Sequence, residues 1–95
     1  MDLQLKDKVT LITGPAKGMG AAITLAFARE GARLVLAGRD TAAIEPVATE
    51  ARVLGAEVIV VPCDLTQPLQ TEALAVRALE AFGRIDVLVN VAGGS

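Results

Sequence analysis

With 95 residues the chain has room for one domain, and a hydrophobic share of 53% against 21% charged residues places it among globular sequences rather than disordered ones. A net charge of −2 gives no electrostatic reason to expect nucleic acid or an anionic membrane as a partner. A single cysteine excludes an internal disulfide, and with no histidine anywhere the sequence argues against a metal site. No apolar run reaches the length of a membrane span, and Met1-Asp2-Leu3-Gln4 does not begin a signal peptide, so a cytoplasmic protein is expected.

After a polar lead over residues 1–7, residues 8–13 read as a buried strand rich in Val, Leu and Ile. A glycine-rich turn follows, and then a helix from about residue 18 to 30, with Ile23 and residues 25–27 expected on its inner side and Gly31 closing it. Residues 33–38 form a second strand. Asp40 or Thr41 caps the next helix, which continues to about Leu54 and ends at Gly55. Pro46 implies that this helix either starts near Glu45 or kinks there.

Residues 57–62 form the third strand, with Cys63 and Asp64 at its carboxyl end. Thr66 is the expected cap of a third helix running to about Phe82, with Leu69, Leu74, Val76 and Leu79 as core positions and Gly83 as its end. Residues 86–90 are the fourth strand. Strands alternating with helices imply parallel pairing with right-handed crossovers, hence an α/β, Rossmann-type doubly wound sheet in the order 3-2-1-4, with helices on both faces. The segments 13–20, 38–39, 63–64 and 90–93 then all fall at the carboxyl ends of strands, where such sheets bind ligands.

The stretch Thr13-Gly14-Pro15-Ala16-Lys17-Gly18-Met19-Gly20 joins the first strand to the first helix. Gly14 lets the chain leave the strand through a conformation that a side chain penalises. Gly18 lets the backbone approach a pyrophosphate, and Gly20 lets the helix lie close on the strand. Free amides and the positive end of the helix dipole would then hold phosphates. No Gly-Lys-Ser/Thr ends the loop, so it is not a P-loop.

Taken together, Thr13-Gly14-x-x-x-Gly18-x-Gly20, Cys63-Asp64-Leu65 and the run 86–93, Asp-Val-Leu-Val-Asn-Val-Ala-Gly, make the chain resemble the amino-terminal part of a short-chain dehydrogenase/reductase over essentially its whole length. The resemblance implies that Gly14, Gly18, Met19 and Gly20 surround the cofactor's phosphates and the adjacent ribose. It implies that Asp64 and Leu65 face the adenine, with the Asp64 carboxylate accepting from the exocyclic amine, and that Asn90, Ala92 and Gly93 lie beside the riboses. Three positions depart from the family pattern. Val91 replaces a frequent asparagine thought to brace the central strands, Ala16 replaces a phosphate-contacting serine, and Pro15 removes an amide from the loop.

Two cations bear on the choice of coenzyme. Where an acidic residue after the second strand would favour NAD, this chain has Gly38 and then Arg39, whose planar fork suits a phosphate, and Lys17 lies in the glycine loop. The pair resembles the family's NADP-preferring pattern, with NAD second. The alternative is that Arg39 and Lys17 are solvated surface charges, or that Arg39 pairs with Asp40.

The family's chemistry needs a tyrosine, a lysine four residues on, and a serine that orients the substrate carbonyl. The sequence has no tyrosine, and its one serine is Ser95, so no catalytic residue is assigned and the 95 residues alone are expected to be inactive. Cys63, without a histidine, reads as a small packed hydrophobe. The expectation is that residues 1–95 are the coenzyme-binding half of a longer oxidoreductase acting on a small carbonyl or alcohol substrate, part of a homo-oligomer. The fourth strand would then be an apolar edge, with one sheet face partly uncovered. The alternatives are a non-catalytic nucleotide-binding or self-associating half-fold and another doubly wound class such as a methyltransferase, against which residues 90–93 speak.

Overall fold

The computed structural model describes residues 4–91. Its elements are β1 (Val9–Thr13), α1 (Gly18–Arg29), β2 (Arg33–Gly38), α2 (Thr41–Val53), β3 (Val58–Pro62), α3 (Pro68–Phe82) and β4 (Val87–Asn90). The four strands form one parallel sheet in the order β3-β2-β1-β4. Thr13 is level with Ala37 on one side and with Asn90 on the other, so the carboxyl ends of β1, β2 and β4 share one edge.

Alternation along the strands divides the core in two. Ile12, Leu34, Leu36 and Val58 pack against Ala28 of α1 and Ile44, Val47, Ala48 and Ala51 of α2. Val9, Leu11, Val35, Ala37 and Val61 face the other way, against Leu74 and Ala78 of α3. Small alanines on all three helices let them lie close to the branched side chains of the strands.

Helix α2 begins at Thr41, capped by Asp40, whose carboxylate accepts from the Ala43 amide at 3.2 Å. It runs through Pro46 rather than starting near Glu45; the proline lies on the exposed side, so the helix bond it forfeits is lost where water can replace it. The cap of α3 is Gln67, not Thr66, because the Thr66 hydroxyl and amide turn back to Asp64 instead of forward to the helix. Of the four core positions expected on α3, only Leu74 is buried. Leu69, Val76 and Leu79 are exposed, since α3 meets the sheet along a stripe centred on Leu74 and Ala78. On α1, the tightly buried positions are Gly20, Thr24 and Ala28, with Ile23, Leu25 and Phe27 half-buried around them and Ala26 exposed.

Strand β4 is tied to β1 at both ends by side chains. At its start, the Asp86 Oδ2 accepts from the Val9 amide at 2.8 Å and the Asp86 amide donates to the Val9 carbonyl at 2.8 Å, while Arg84 donates to the Asp86 Oδ1 through Nε and Nη2 at 3.0 and 2.7 Å. At its end, the Thr13 hydroxyl donates to the Asn90 Oδ1 at 2.7 Å. Val91, which stands where the family often has a second asparagine, bonds through its backbone amide to the Thr13 carbonyl at 3.2 Å.

Candidate functional site

The glycine loop and the start of α1 form the centre of the carboxyl edge. Gly14 and Gly18 both have positive φ, 70° and 58°, where a side chain would be strained. A Cβ on Gly20 would overlap the Gly14 carbonyl oxygen, so only glycine lets α1 seat against the loop. At Gly18, by contrast, a Cβ would meet nothing within 4 Å, which leaves open space beside the backbone. Lys17, the N-cap of α1, is extended and makes no side-chain cap, and the first turn holds no acidic residue. The amides of Gly18, Met19 and Gly20 therefore find no acceptor among the described residues. Three unpaired donors at the positive end of a 12-residue helix, beside open space, fit an anion.

Next to this loop, a cleft of about 150 Å³ is lined by Gly14, Ala37, Gly38, Arg39, Cys63, Asp64, Leu65 and Thr66. It brings together four of the expected site residues, Gly14, Arg39, Asp64 and Leu65. Lys17, Gly18 and Met19 stand exposed at the adjoining helix start, with Gly20 buried behind them. Asn90 lies instead in a second, more apolar cleft of about 390 Å³ between α3 and β4, with Leu11, Thr13, Leu74, Ile85 and Leu88, and Leu65 borders both. Ala92 and Gly93 lie outside the described residues.

The first cleft carries two opposite charges, Arg39 and Asp64, which feel each other without forming an ion pair. Arg39 is exposed and forms no ion pair with Asp40, whose carboxylate caps α2. Hydrogen bonds from the Thr66 hydroxyl (2.7 Å) and amide (2.9 Å) to Oδ1 hold the Asp64 carboxyl below its ordinary range, and the Arg39 charge adds to that effect. Asp64 is therefore ionised at neutral pH and acts as an acceptor. The Asp64 amide donates to the Gln70 Oε1 at 2.8 Å. Burial, and then the Asp64 charge, push the Cys63 thiol up, and the thiol is spent on the Gln70 carbonyl at 3.6 Å, which makes it a poor nucleophile.

Sequence reading assigned no site role to Gln70, to Thr13, named only within the glycine motif, or to Thr66, named only as a helix cap. An Asp-x-Thr spacing after a strand is the local signal that could have found Thr66. Gln70 becomes visible only once α3 folds back over the end of β3. Among the described residues no group of three potential metal ligands occurs, and no helix is long and apolar enough to cross a membrane.

Comparison with known proteins agrees with this geometry. A family model described as short chain dehydrogenase matches residues 8–95. An uncharacterized oxidoreductase of Mycobacterium tuberculosis is 44% identical over 92 residues, covering 97% of this chain and 35% of the relative. The crystal structure of a metagenomic short-chain oxidoreductase in complex with NADP superposes with a TM-score of 0.89 at 40% identity, over 94% of this chain and 40% of that one. A short chain dehydrogenase/reductase from Burkholderia phymatum, in complex with NAD, gives 0.85 at 41% identity, over 90% and 31%. The chain thus spans roughly a third of the length of the relatives it matches.

Proposed function

Because the chain belongs to the short chain dehydrogenase family, we propose that it binds a dinucleotide along the carboxyl edge of its sheet, NADP(H) in preference to NAD(H), and forms the coenzyme-binding half of a longer oxidoreductase. The coenzyme supplies a hydride for exchange with a small carbonyl or alcohol substrate. Single-domain organisation over residues 1–95, a cytoplasmic setting and a homo-oligomeric parent belong to the same proposal. So does the inactivity of the 95 residues by themselves, supported by the absence of any tyrosine that could move the proton.

The residues divide the work. The amides of Gly18, Met19 and Gly20, with Gly14 giving clearance, hold the pyrophosphate. Asp64 and Leu65 meet the adenine. Asn90, Ala92 and Gly93 border the riboses. Arg39, assisted by Lys17, takes the phosphate on the adenosine ribose. The observation that supports the coenzyme preference is Arg39: it lines the cleft in no ion pair, its sequence neighbour Asp40 is committed to capping α2, and the Asp64 carboxylate in the same cleft is bonded to Thr66. The relatives bind either coenzyme, one in complex with NADP and another with NAD, so the preference rests on this chain's own charges.

Titration of the 95-residue chain with NADP+ and NAD+ at low salt, followed by NMR chemical shifts, tests the reading. NADP+ is expected to bind about tenfold more tightly, and Arg39→Ala to bring the two within about twofold. NAD+ binding as tightly as NADP+, or a preference that survives Arg39→Ala, rejects the coenzyme assignment. Failure of both to shift the Gly14–Gly20 amides rejects the dinucleotide site.

A further inference from the structure

Within the cleft, the loop after β3 is more constrained than its exposure suggests. Thr66 is exposed, yet its hydroxyl and amide both donate to one oxygen of Asp64, at 2.7 and 2.9 Å. Gln70, from the first turn of α3, reaches back to accept from the Asp64 amide at 2.8 Å, and its carbonyl accepts from the Cys63 thiol. The Gln67 amide closes the turn onto the Asp64 carbonyl at 3.0 Å. Four groups thus fix the Asp64 backbone and the rotation of its carboxylate. All the donors to that carboxylate fall on Oδ1, and no hydrogen bond reaches Oδ2 among the described residues.

We propose that Thr66 and Gln70 are positioning residues for base recognition: they hold the Asp64 carboxylate so that Oδ2 presents a single, oriented acceptor to the exocyclic amine of a purine. The proposal rests on the reading that the cleft takes the adenosine half of the coenzyme. Without the Thr66 hydroxyl the carboxylate would turn more freely about χ2 and share its two oxygens between water and the base. It would still attract cations but would discriminate poorly between purines. With Thr66 in place, a hypoxanthine base brings a carbonyl oxygen where adenine brings an amine, and two acceptors face each other. Thr66 touches neither base nor phosphate in this scheme and acts through Asp64 alone.

AMP and IMP differ only in that group, so they are the probes. Each is titrated by NMR into the 95-residue chain and into Thr66→Val, Thr66→Ser and Gln70→Ala, with circular dichroism confirming that every variant is folded. The wild-type chain is expected to prefer AMP roughly tenfold, because a mismatched polar pair in a cleft loses about that much. Thr66→Val keeps the side-chain volume and the backbone amide but drops the ratio to about twofold. Thr66→Ser restores the preference, and Gln70→Ala reduces it part way. A merely structural role would weaken AMP and IMP alike and leave the ratio unchanged, which overturns the proposal. An unchanged ratio in a chain that still prefers AMP sinks only the positioning role. No preference in the wild-type chain, or no binding of AMP, removes the underlying adenine reading as well.

Discussion

β2 and β4 flank β1 on opposite sides and both carry an alternating Leu/Val run, Leu-Val-Leu in β2 and Val-Leu-Val in β4, yet their surroundings differ completely. Leu34, Val35, Leu36 and Ala37 are inaccessible, whereas Leu88 is 67% exposed and β4 alternates between half-buried and exposed. β2 has a strand on each side, α1 and α2 over one face and α3 over the other. β4 has β1 on one side only, and the described residues place no strand along its other edge. An apolar strand is therefore a statement about what the chain can bury, and the cover decides what it does bury. β2 is held by its packing, while β4 is held by polar clamps at Asp86 and Asn90.

That contrast yields an ordered set of outcomes. Leu36→Ala is expected to cost roughly 3 kcal/mol, a large part of the stability of so small a domain, whereas Leu88→Ala costs under about 0.5 kcal/mol. Urea unfolding followed by circular dichroism measures both. Equal costs would break the comparison by showing that β4 is covered in solution. Gly20→Ala comes next, at roughly 2 kcal/mol, because the new methyl must displace the Gly14 carbonyl and lift α1 from the loop. Under the proposed function it is also expected to weaken NADP+ binding, which an equally destabilising substitution remote from the loop would not.

The smallest effect is electrostatic. The Arg84 side chain, and then the Val9 amide, hold the Asp86 carboxyl below its ordinary value of 3.8. A lowered carboxyl pKa in the folded state contributes stability above pH 3.8, and that contribution is lost as pH falls through the folded value. Asp86→Asn should flatten the acid limb of the pH–stability profile and expose the β4 amides to faster hydrogen exchange while leaving those of β2 protected. Unchanged exchange in β4 would show that backbone pairing alone holds that strand.

Much of this was readable in advance. The strand–helix alternation and the glycine loop follow from Val9–Thr13, Leu34–Ala37, Val58–Val61 and Gly14–Gly20, because period and punctuation are local properties, and the parallel order 3-2-1-4 follows from that alternation through the crossover rule. That Gly14, Arg39 and Asp64 line one cleft was legible because strand carboxyl ends converge at one edge, whereas Leu65 was named only through the family resemblance. The inner face of α3 was not. Leu69, Val76 and Leu79 are as apolar as Leu74, and only the docking angle of the helix separates them. Thr66 misled for a related reason, since a hydroxyl before a helix can turn either to the helix or back to a preceding aspartate, and the rest of the site decides.

The pairing of β4 with β1 also has a kinetic consequence. Val9 and Asp86 bond across 77 positions of sequence, as do Thr13 and Asn90. β1, β2 and β3 can assemble in order as they are synthesised, but the first strand keeps one bare edge until the fourth arrives. Closing so wide a loop sacrifices chain freedom before the clamps repay it. During synthesis the glycine loop therefore stands flanked by a strand on one side only, and for that interval the nascent chain carries an open strand edge that another strand can occupy.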